Sequence, residues 1–499
     1  MAKGSGARIG KMLLAAILSA CSAISDSAAW RLSATPTFHL AMHPARESGP
    51  VFSSVAEWYS SNWRALRVDP EQFWLWEQSP GLVELALDAH RDSLRIHVVL
   101  PLRRDLMAWS VDELGSNVLT GINEVDINAP YEGWVRIRGM AGGLQAGRFR
   151  KSFSPSPHGV ILGSNLVHDA LWWELPVGAW NFQWFGSSLN PWLLGVDADG
   201  AVQSGSETEV QIRETVPNQR GRHFTQPWKT LFLHRLSWSH GGLELAAVEQ
   251  LVVGGKAPAL RDLLPFVVWH DNFGDGYSKV STAVEVAYRQ TPAGDFHWQG
   301  LVEEMRSPVG EDSGTETRVI FGANTGWSGG IRNAMGLWKG RLDVTATSPT
   351  LNHHKIPLLR GVSRRIYRSN YFDQADAGFA DSWVVDQPLA YHRGPDALDV
   401  WSQWEWRAPD SGFGAHVELD LLSQGDATLQ TDPFLLENRM WPLSGVVETR
   451  LRLGVGGWTQ WSELELRAAT ELERIENADH REGDDRWNLR LHGSIGRSW

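Results

Sequence analysis

Residues 487–499 read WNLRLHGSIGRSW. Trp487, Leu489, Leu491, Gly493 and Ile495 fall on one side of a two-residue repeat, and Asn488, Arg490, His492, Ser494, Gly496 and Ser498 on the other. A period of two is that of a β-strand, whose successive side chains point to opposite faces. One face is bulky or small and the other polar, so the strand separates an apolar environment from a wet one. The stretch closes on an aromatic residue, Trp499.

The same division recurs upstream. Val447, Thr449, Leu451, Leu453 and Val455 alternate with Glu448, Arg450 and Arg452, and Leu464, Leu466, Ala468 and Leu472 alternate with Glu463, Glu465, Arg467 and Glu471. An Arg facing lipid near the midplane costs about 2–4 kcal/mol, so these charges must face a lumen or solvent. A soluble sandwich would put the charges outside and the apolar face inside. Length and the aromatic end favour the barrel, and Trp499 is then expected to be the insertion signal read by the barrel insertion machinery. The expected fold is all-β: a large antiparallel transmembrane β-barrel of roughly 16–18 strands, with a few short helices near the amino terminus. The expected location is the outer membrane of a Gram-negative bacterium.

The opening residues agree with export. Lys3, Arg8 and Lys11 precede an apolar run beginning at Met12–Ile17, too short for a permanent anchor. Two cleavage readings stand side by side. Leu18-Ser19-Ala20-Cys21 has the form of a lipobox, making Cys21 the site of lipidation, whereas Ser27-Ala28-Ala29 suits an ordinary signal peptidase. The leader is accordingly 1–29, or 1–20 for a lipoprotein. Cys21 is the only cysteine, which excludes disulfides and Cys-based metal sites.

Mean hydropathy is −0.27, which a barrel tolerates because its strands average lipid-facing and lumen-facing residues. The 27 Trp against 7 Tyr suit aromatic girdles at the membrane interfaces; a Trp-lined carbohydrate-binding protein is the other reading of that composition. The net charge of −12 argues against a nucleic-acid partner, whose phosphates need a basic surface.

From Tyr131 onward strands follow one another between Gly, Pro, Asp and Asn. Trp134–Met140 and Leu144–Lys151 flank Gly142-Gly143, Val160–Glu174 is set against Gly178–Phe185, and Lys229–Ser239 meets Leu243–Val253 at His240-Gly241-Gly242. Thr459–Arg474 reads as a single strand. Before residue 130 the pattern changes. Val51, Val55, Trp58 and Tyr59 fall at helical spacing, and Asp69-Pro70 with Glu71 and Gln72 offers a helix start. The expected division is a region of strands and short helices at 30–130, periplasmic or lumenal, and the barrel at 131–499.

Three stretches resemble the capsule-assembly Wzi family of outer-membrane barrels. The first runs from Ala146-Gly147-Arg148 through Pro155 and Gly159 to Ile161-Leu162-Gly163-Ser164-Asn165. The second joins His234-Arg235-Leu236, Leu243-Glu244-Leu245, Val252-Val253-Gly254-Gly255, Leu263-Leu264-Pro265-Phe266 and Asp271-Asn272. The third is Pro388-Leu389 with Gly394-Pro395-Asp396-Ala397, leading into the strand from Leu398. Together they span about Tyr131 to Ser423. The resemblance implies a monomeric barrel of roughly 18 strands that attaches capsular or other exopolysaccharide at the cell surface without catalysis or cofactor. It stops near the amino terminus, where the family's run into a helical plug is not found, and it carries over no polysaccharide-contacting residue.

The residues themselves offer few catalytic arrangements. Neither Gly-x-Ser-x-Gly nor His-Glu-x-x-His occurs. His353-His354 would point to opposite faces of a strand and lacks a nearby carboxylate, which disfavours a metal. Asp271–Gly276 is acidic and Gly-rich, a calcium loop or a plain turn. Ser237 and Ser239 near His234 and His240 could mimic an outer-membrane lipid-acting enzyme or belong to an ordinary hairpin. Two groups suit binding instead. Trp401 shares a face with Asp399, Gln403, Glu405 and Arg407, an indole among hydrogen-bonding groups that would stack on a sugar ring; a girdle Trp is the alternative. Arg360, Arg364, Arg365 and Arg368 beside Tyr367 and Tyr371 would contact an acidic polysaccharide or a lipopolysaccharide phosphate, or form a solvated loop. Besides polysaccharide attachment, the mixed Glu/Arg lumen permits a porin-like channel, and a lipid-acting barrel enzyme is a third reading.

Overall fold

The computed structural model describes residues 30–46, 52–58, 64–128, 131–139, 142–163, 165–197, 209–218, 221–264, 276–291, 294–305, 319–354, 356–371, 382–409, 412–429 and 442–497. The leader, Cys21, Trp499 and residues 271–275 lie outside them.

Along the chain come β1 (Arg31–Arg46), β2 (Phe52–Trp58), β3 (Arg64–Val68), helix α1 (Pro70–Gln78), β4 (Val83–Arg91), β5 (Leu94–Leu102) and helix α2 (Leu106–Ser110). Next are β6 (Glu132–Gly139), β7 (Gly142–Arg150), β8 (Val167–Val177), β9 (Trp180–Ser188), β10 (Leu194–Asp197) and helix α3 (Glu209–Thr215). Then follow β11 (Lys229–His240), β12 (Leu243–Gly254), the single turn α4 (Leu260–Leu263), β13 (Ser278–Thr291), β14 (Gly294–Met305), β15 (Val319–Asn333) and β16 (Gly336–Thr347). The last are β17 (Val362–Arg368), β18 (Ser382–Pro388), β19 (Ala397–Arg407), β20 (Phe413–Gln424), β21 (Glu448–Trp461), β22 (Leu464–Glu476) and β23 (Arg486–Arg497).

Eighteen strands form one antiparallel sheet, and it closes because β1 pairs with both β23 and β4. The other five form a separate sheet in the order β10-β2-β3-β18-β17. In it β18 runs parallel to β3, with Trp383 opposite Leu66. No described helix is long and apolar enough to cross a membrane, so the crossing is made by strands. A closed barrel leaves no sheet edge in hydrocarbon, and its outer wall is apolar: Leu451, Leu453, Leu472, Leu491 and Ile495 all point outward and are exposed. This is an outer-membrane barrel.

Four sequence expectations need correction. Val160–Glu174 is not one strand: β8 begins at Val167, and Val160, Ile161 and Leu162 lie in the connection before it. The barrel does not begin at 131, because β1, β4 and β5 are wall strands, while β2, β3 and α1 are not. Residues 52–58 are a strand, not a helix; pairing with β3 and β10 decides a stretch too short for its period to be diagnostic. Thr459–Arg474 is two strands, turned at Ser462 in the left-handed region (φ 59°) without a Gly or Pro to announce it. Elsewhere Asp69 caps α1, its Oδ1 accepting the Gln72 N–H at 3.1 Å.

On β20, β21 and β22 Asp420, Arg452 and Glu473 face inward. Arg452 spans the lumenal side of three strands, 3.2 Å from Asp420 and 2.9 Å from Glu473. The connection between β7 and β8, residues 151–166, does not stay at the rim but crosses the lumen. Its Val160, Ile161, Leu162 and Leu166 join one buried apolar cluster with Phe185, Leu233 and Val252 on one side and Ala397 and Leu422 on another. Helix α1 enters beside it, placing the Trp74 ring 4.3 Å from the Arg393 guanidinium and 4.4 Å from that of Arg452. The second sheet caps the same end, with Phe73, Trp76, Tyr367 and Trp383 in a common core. The tryptophans therefore have two jobs. Trp180, Trp298, Trp338, Trp404 and Trp461 are exposed on the outer wall, whereas Trp76, Trp109 and Trp383 are buried in or beneath the cap.

Candidate functional site

Connections at the two ends of the barrel differ in length. One end has tight turns, such as 92–93, 178–179, 241–242 and 462–463; the other has 103–131, 189–228 and 348–396. The expected binding residues divide between these ends. Trp401, Gln403 and Glu405 lie on β19, which runs from the long-connection end at Ala397 to the tight-turn end at Arg407. Arg364 and Arg365 lie on β17, in the cap at the long-connection end.

Trp401 faces the lumen but is buried beneath the crossing segment, its ring 5.1 Å from that of His158 and 5.8 Å from the Arg341 guanidinium. Gln403 stands opposite Arg341, and Glu405 pairs with Arg407 at 2.5 Å. The indole is thus a packing surface that the crossing segment already occupies, whereas Gln403 and Glu405 border a cavity of about 750 Å3 toward the tight-turn end.

Arg364 is also committed. Its guanidinium meets Asp386 at 2.7 Å through both Nε and Nη2, and Glu209 at 2.7 and 3.0 Å through Nη1 and Nη2. Two bidentate clamps on one guanidinium tie β17 to β18 and α3. Arg360 adds a bond to Glu209 at 3.2 Å, and Arg67 one to Asp386 at 3.3 Å. Burial alone would raise the Glu209 carboxyl, but the Arg364 and Arg360 charges overcome it and hold the group at about 2. Asp386 is likewise held below the usual carboxylate range: burial opposes, and Arg364 and Arg67 prevail.

Arg365 is different. It is half-buried, and no carboxylate among the described residues lies within ion-pair distance of it. Strand β17 is the edge of its sheet, and its unpaired flank faces a cleft of about 620 Å3 whose opposite wall is the rim of β7, β8 and β9. Tyr131, Arg148, His168, Trp192, Arg365 and Arg368 line it. Arg148 holds the cleft's one lining carboxylate, Asp169, at 2.7 and 3.1 Å. Asn128 grips the Arg368 backbone in both directions, accepting from its N–H at 3.1 Å and donating to its carbonyl at 3.0 Å. The His168 ring meets Ser187 Oγ at 3.3 Å through Nδ1, while its buried Nε2 has no partner among the described residues. With Arg364 and Arg148 already paired, Arg365 and Arg368 leave the cleft cationic, with an exposed indole, Trp192, at its edge. The arginine run was visible in sequence; the facing wall, drawn from three distant segments, carried no local signal.

Other candidates are resolved more simply. His353 places its ring nitrogens against the carbonyls of Leu351 and Thr428, at 3.2 and 2.5 Å, and His354 accepts the Ile356 N–H at 3.0 Å. Among the described residues no group of three or more His, Cys, Asp or Glu is placed to hold a metal ion. Ser237 donates to the Asn181 carbonyl at 3.3 Å, while His234, three residues earlier on the opposite face of β11, pairs with Glu249 at 2.9 Å. That geometry separates the serine from the histidine.

No protein-family model and no curated protein matches this sequence. Among solved structures it is similar to Wzi of Escherichia coli, an outer-membrane protein involved in group 1 capsule assembly and a carbohydrate-binding β-barrel. The two are 12% identical over 97% of this chain and 87% of that one, with a TM-score of 0.49. It is also similar to the outer-membrane protein OprD of Pseudomonas aeruginosa, 7% identical over 94% of this chain and 93% of that one, with a TM-score of 0.40. At such low identities and TM-scores, what this chain does follows from its own residues.

Proposed function

We propose that the protein is a non-catalytic outer-membrane barrel that holds an exopolysaccharide at the cell surface. Bacterial barrels have short periplasmic turns and longer extracellular loops, so the long-connection end, with its cap and cleft, is the outer one. The cleft carries the reading: an extracellular recess of about 620 Å3, lined by guanidiniums, amides, hydroxyls and an indole, offers stacking and hydrogen bonding in the mixture that suits sugars. The lumen beneath it is partly filled, since the β7–β8 connection crosses it and α1 docks into it, leaving a cavity of about 460 Å3 between Trp74 and Arg450.

A porin-like channel is the second reading, favoured by the charged lumenal face of β20 to β22, where Arg452, Asp420 and Glu473 meet. Deleting the gene in its host and measuring surface-bound against released polysaccharide separates the two. Attachment requires polysaccharide to move into the medium at unchanged total synthesis, restored by the wild-type gene. An unchanged partition with reduced uptake of a small solute replaces attachment with the channel.

A further inference from the structure

We infer that the rim cleft is an anion subsite that takes the carboxylate or phosphate of a sugar unit, with Arg365 as its charge partner. The inference rests on the attachment reading and specifies what that reading leaves open, the chemistry of the sugar.

Three independent features point to a missing anion. First, consecutive arginines are treated oppositely: Arg364 is saturated by Glu209 and Asp386, whereas Arg365 has no ion pair among the described residues and borders open space. A half-buried guanidinium has lost part of its hydration, and a charge-assisted contact from a ligand would replace it. Second, the cleft's own carboxylate, Asp169, is bound through both oxygens by Arg148, and Arg365 acts on it only beyond ion-pair distance. Third, His168 Nε2 is buried in the cleft wall without a protein partner among the described residues, leaving one polar atom for a bound oxygen. The edge of β17 supplies the rest. An edge strand presents main-chain N–H and C=O groups on its unpaired side, so hydroxyls on the same sugar can be met by Ser363–Tyr367 backbone while Trp192 offers a ring face.

A uronate of a surface polysaccharide and a phosphate of lipopolysaccharide share this chemistry. Both are tested with the full-length protein in detergent: polysaccharide purified from the host, native and carboxyl-reduced, and lipopolysaccharide, native and dephosphorylated. Each is titrated against wild type, Arg365→Gln and Arg365→Lys, whose folding is verified by heat-dependent migration on gels. Expected is a loss of about tenfold or more on carboxyl reduction, the scale of one charge-assisted contact, an equal loss in R365Q, no further loss when the two are combined, and partial recovery in R365K. The same pattern with lipopolysaccharide and its phosphate would uphold the subsite while removing the attachment reading. Native and modified ligands binding alike, R365Q binding as wild type, or neither ligand binding at all would overturn the subsite. In the first two cases the attachment reading would stand or fall on the deletion strain alone.

Discussion

His158 Nδ1 lies 2.8 Å from Asp399 Oδ2, joining the segment that crosses the lumen to the wall it reaches. Thr345 Oγ1 donates to the His158 carbonyl at 3.0 Å, and the Val160 N–H donates to Gln299 Oε1 at 3.4 Å, so β14, β16 and β19 all hold the segment. Its apolar residues pack against Phe185, Leu233, Val252 and Leu422 of the wall, and these bonds fix where they sit. Removing residues 153–163 is expected to give stepwise ion conductance in planar bilayers that the intact protein lacks. His158→Ala removes one of the two partners of the buried Asp399, which keeps the Tyr391 hydroxyl, at a cost of about 1–3 kcal/mol, and is expected to give brief openings. A deletion variant that conducts no better than wild type would show that something other than this segment closes the lumen.

The clamp on Arg364 makes the cap sensitive to acid. Glu209 ionises at about 2 in the folded protein against an ordinary 4.5. Because the folded value is the lower, its stabilising contribution is complete above about pH 4.5 and is lost as the pH falls toward 2. Hydrogen exchange of the β17 and α3 amides, corrected for intrinsic rate, is expected to accelerate as the pH falls from about 4.5 to about 2.5. Arg364→Ala should loosen the same elements at neutral pH by about 3 kcal/mol, the low end for breaking a buried pair, because Glu209 keeps Arg360 and Asp386 keeps Arg67. Equal protection of β17 at both pH values would dissociate the clamp from cap stability.

What the sequence disclosed follows from the range of the interactions. The faces of β21, β22 and β23 were legible because lipid and lumen act on each residue alone: Leu451, Leu453 and Leu491 are exposed outside, and Arg450, Arg452 and Arg490 are buried inside. The cap was not legible, because its sheet forms only when β3 meets β18, with Leu66 beside Trp383, and neither strand announces so distant a partner. Trp401 shows the same limit within one residue. Its position on the lumenal face was readable, but its cover comes from His158, whose segment had no signal for turning inward. Arg364 and Arg365 are adjacent and alike in sequence, and only Glu209 and Asp386 distinguish them.

The face assignment makes neighbouring residues respond to different physics. Leu453 faces lipid between Leu419 and Leu472, and Arg452 faces the lumen against Asp420 and Glu473. Leu453→Arg is expected to lower the folding free energy in phospholipid vesicles by about 2–4 kcal/mol, by placing a charge in hydrocarbon. Arg452→Leu costs about 3–5 kcal/mol for a different reason, the loss of the shared cation from two buried carboxylates. Urea titration of folding into vesicles reads both. The pair separates in the thickness series: the Leu453→Arg penalty shrinks in thinner bilayers, where the interface lies closer, and the Arg452→Leu penalty does not. An L453R variant as stable as wild type would remove the lipid-facing assignment.

Asp105 caps α2 and ties it to the cap sheet, its Oδ1 accepting the Met107 N–H at 2.8 Å and the Ser369 hydroxyl at 2.9 Å. Oδ2 is buried without a hydrogen-bond partner among the described residues. Burial raises this carboxyl from 3.8 to about 7, against the pull of the Met107 and Ser369 hydrogen bonds. Here the folded value is the higher, so the sign reverses from Glu209: the group favours the folded state most below pH 4, and that advantage fades as the pH climbs to about 7. Asn keeps the acceptor for Met107 and cannot ionise, and it caps helices as well as Asp does. Asp105→Asn is therefore expected to match wild type in protection of the Leu106–Trp109 amides near pH 4.5 and to exceed it at pH 8. Greater protection in wild type at pH 8 would mean that Asp105 is stabilised as a carboxylate, and that the contact with Ser369 outweighs the burial of its charge.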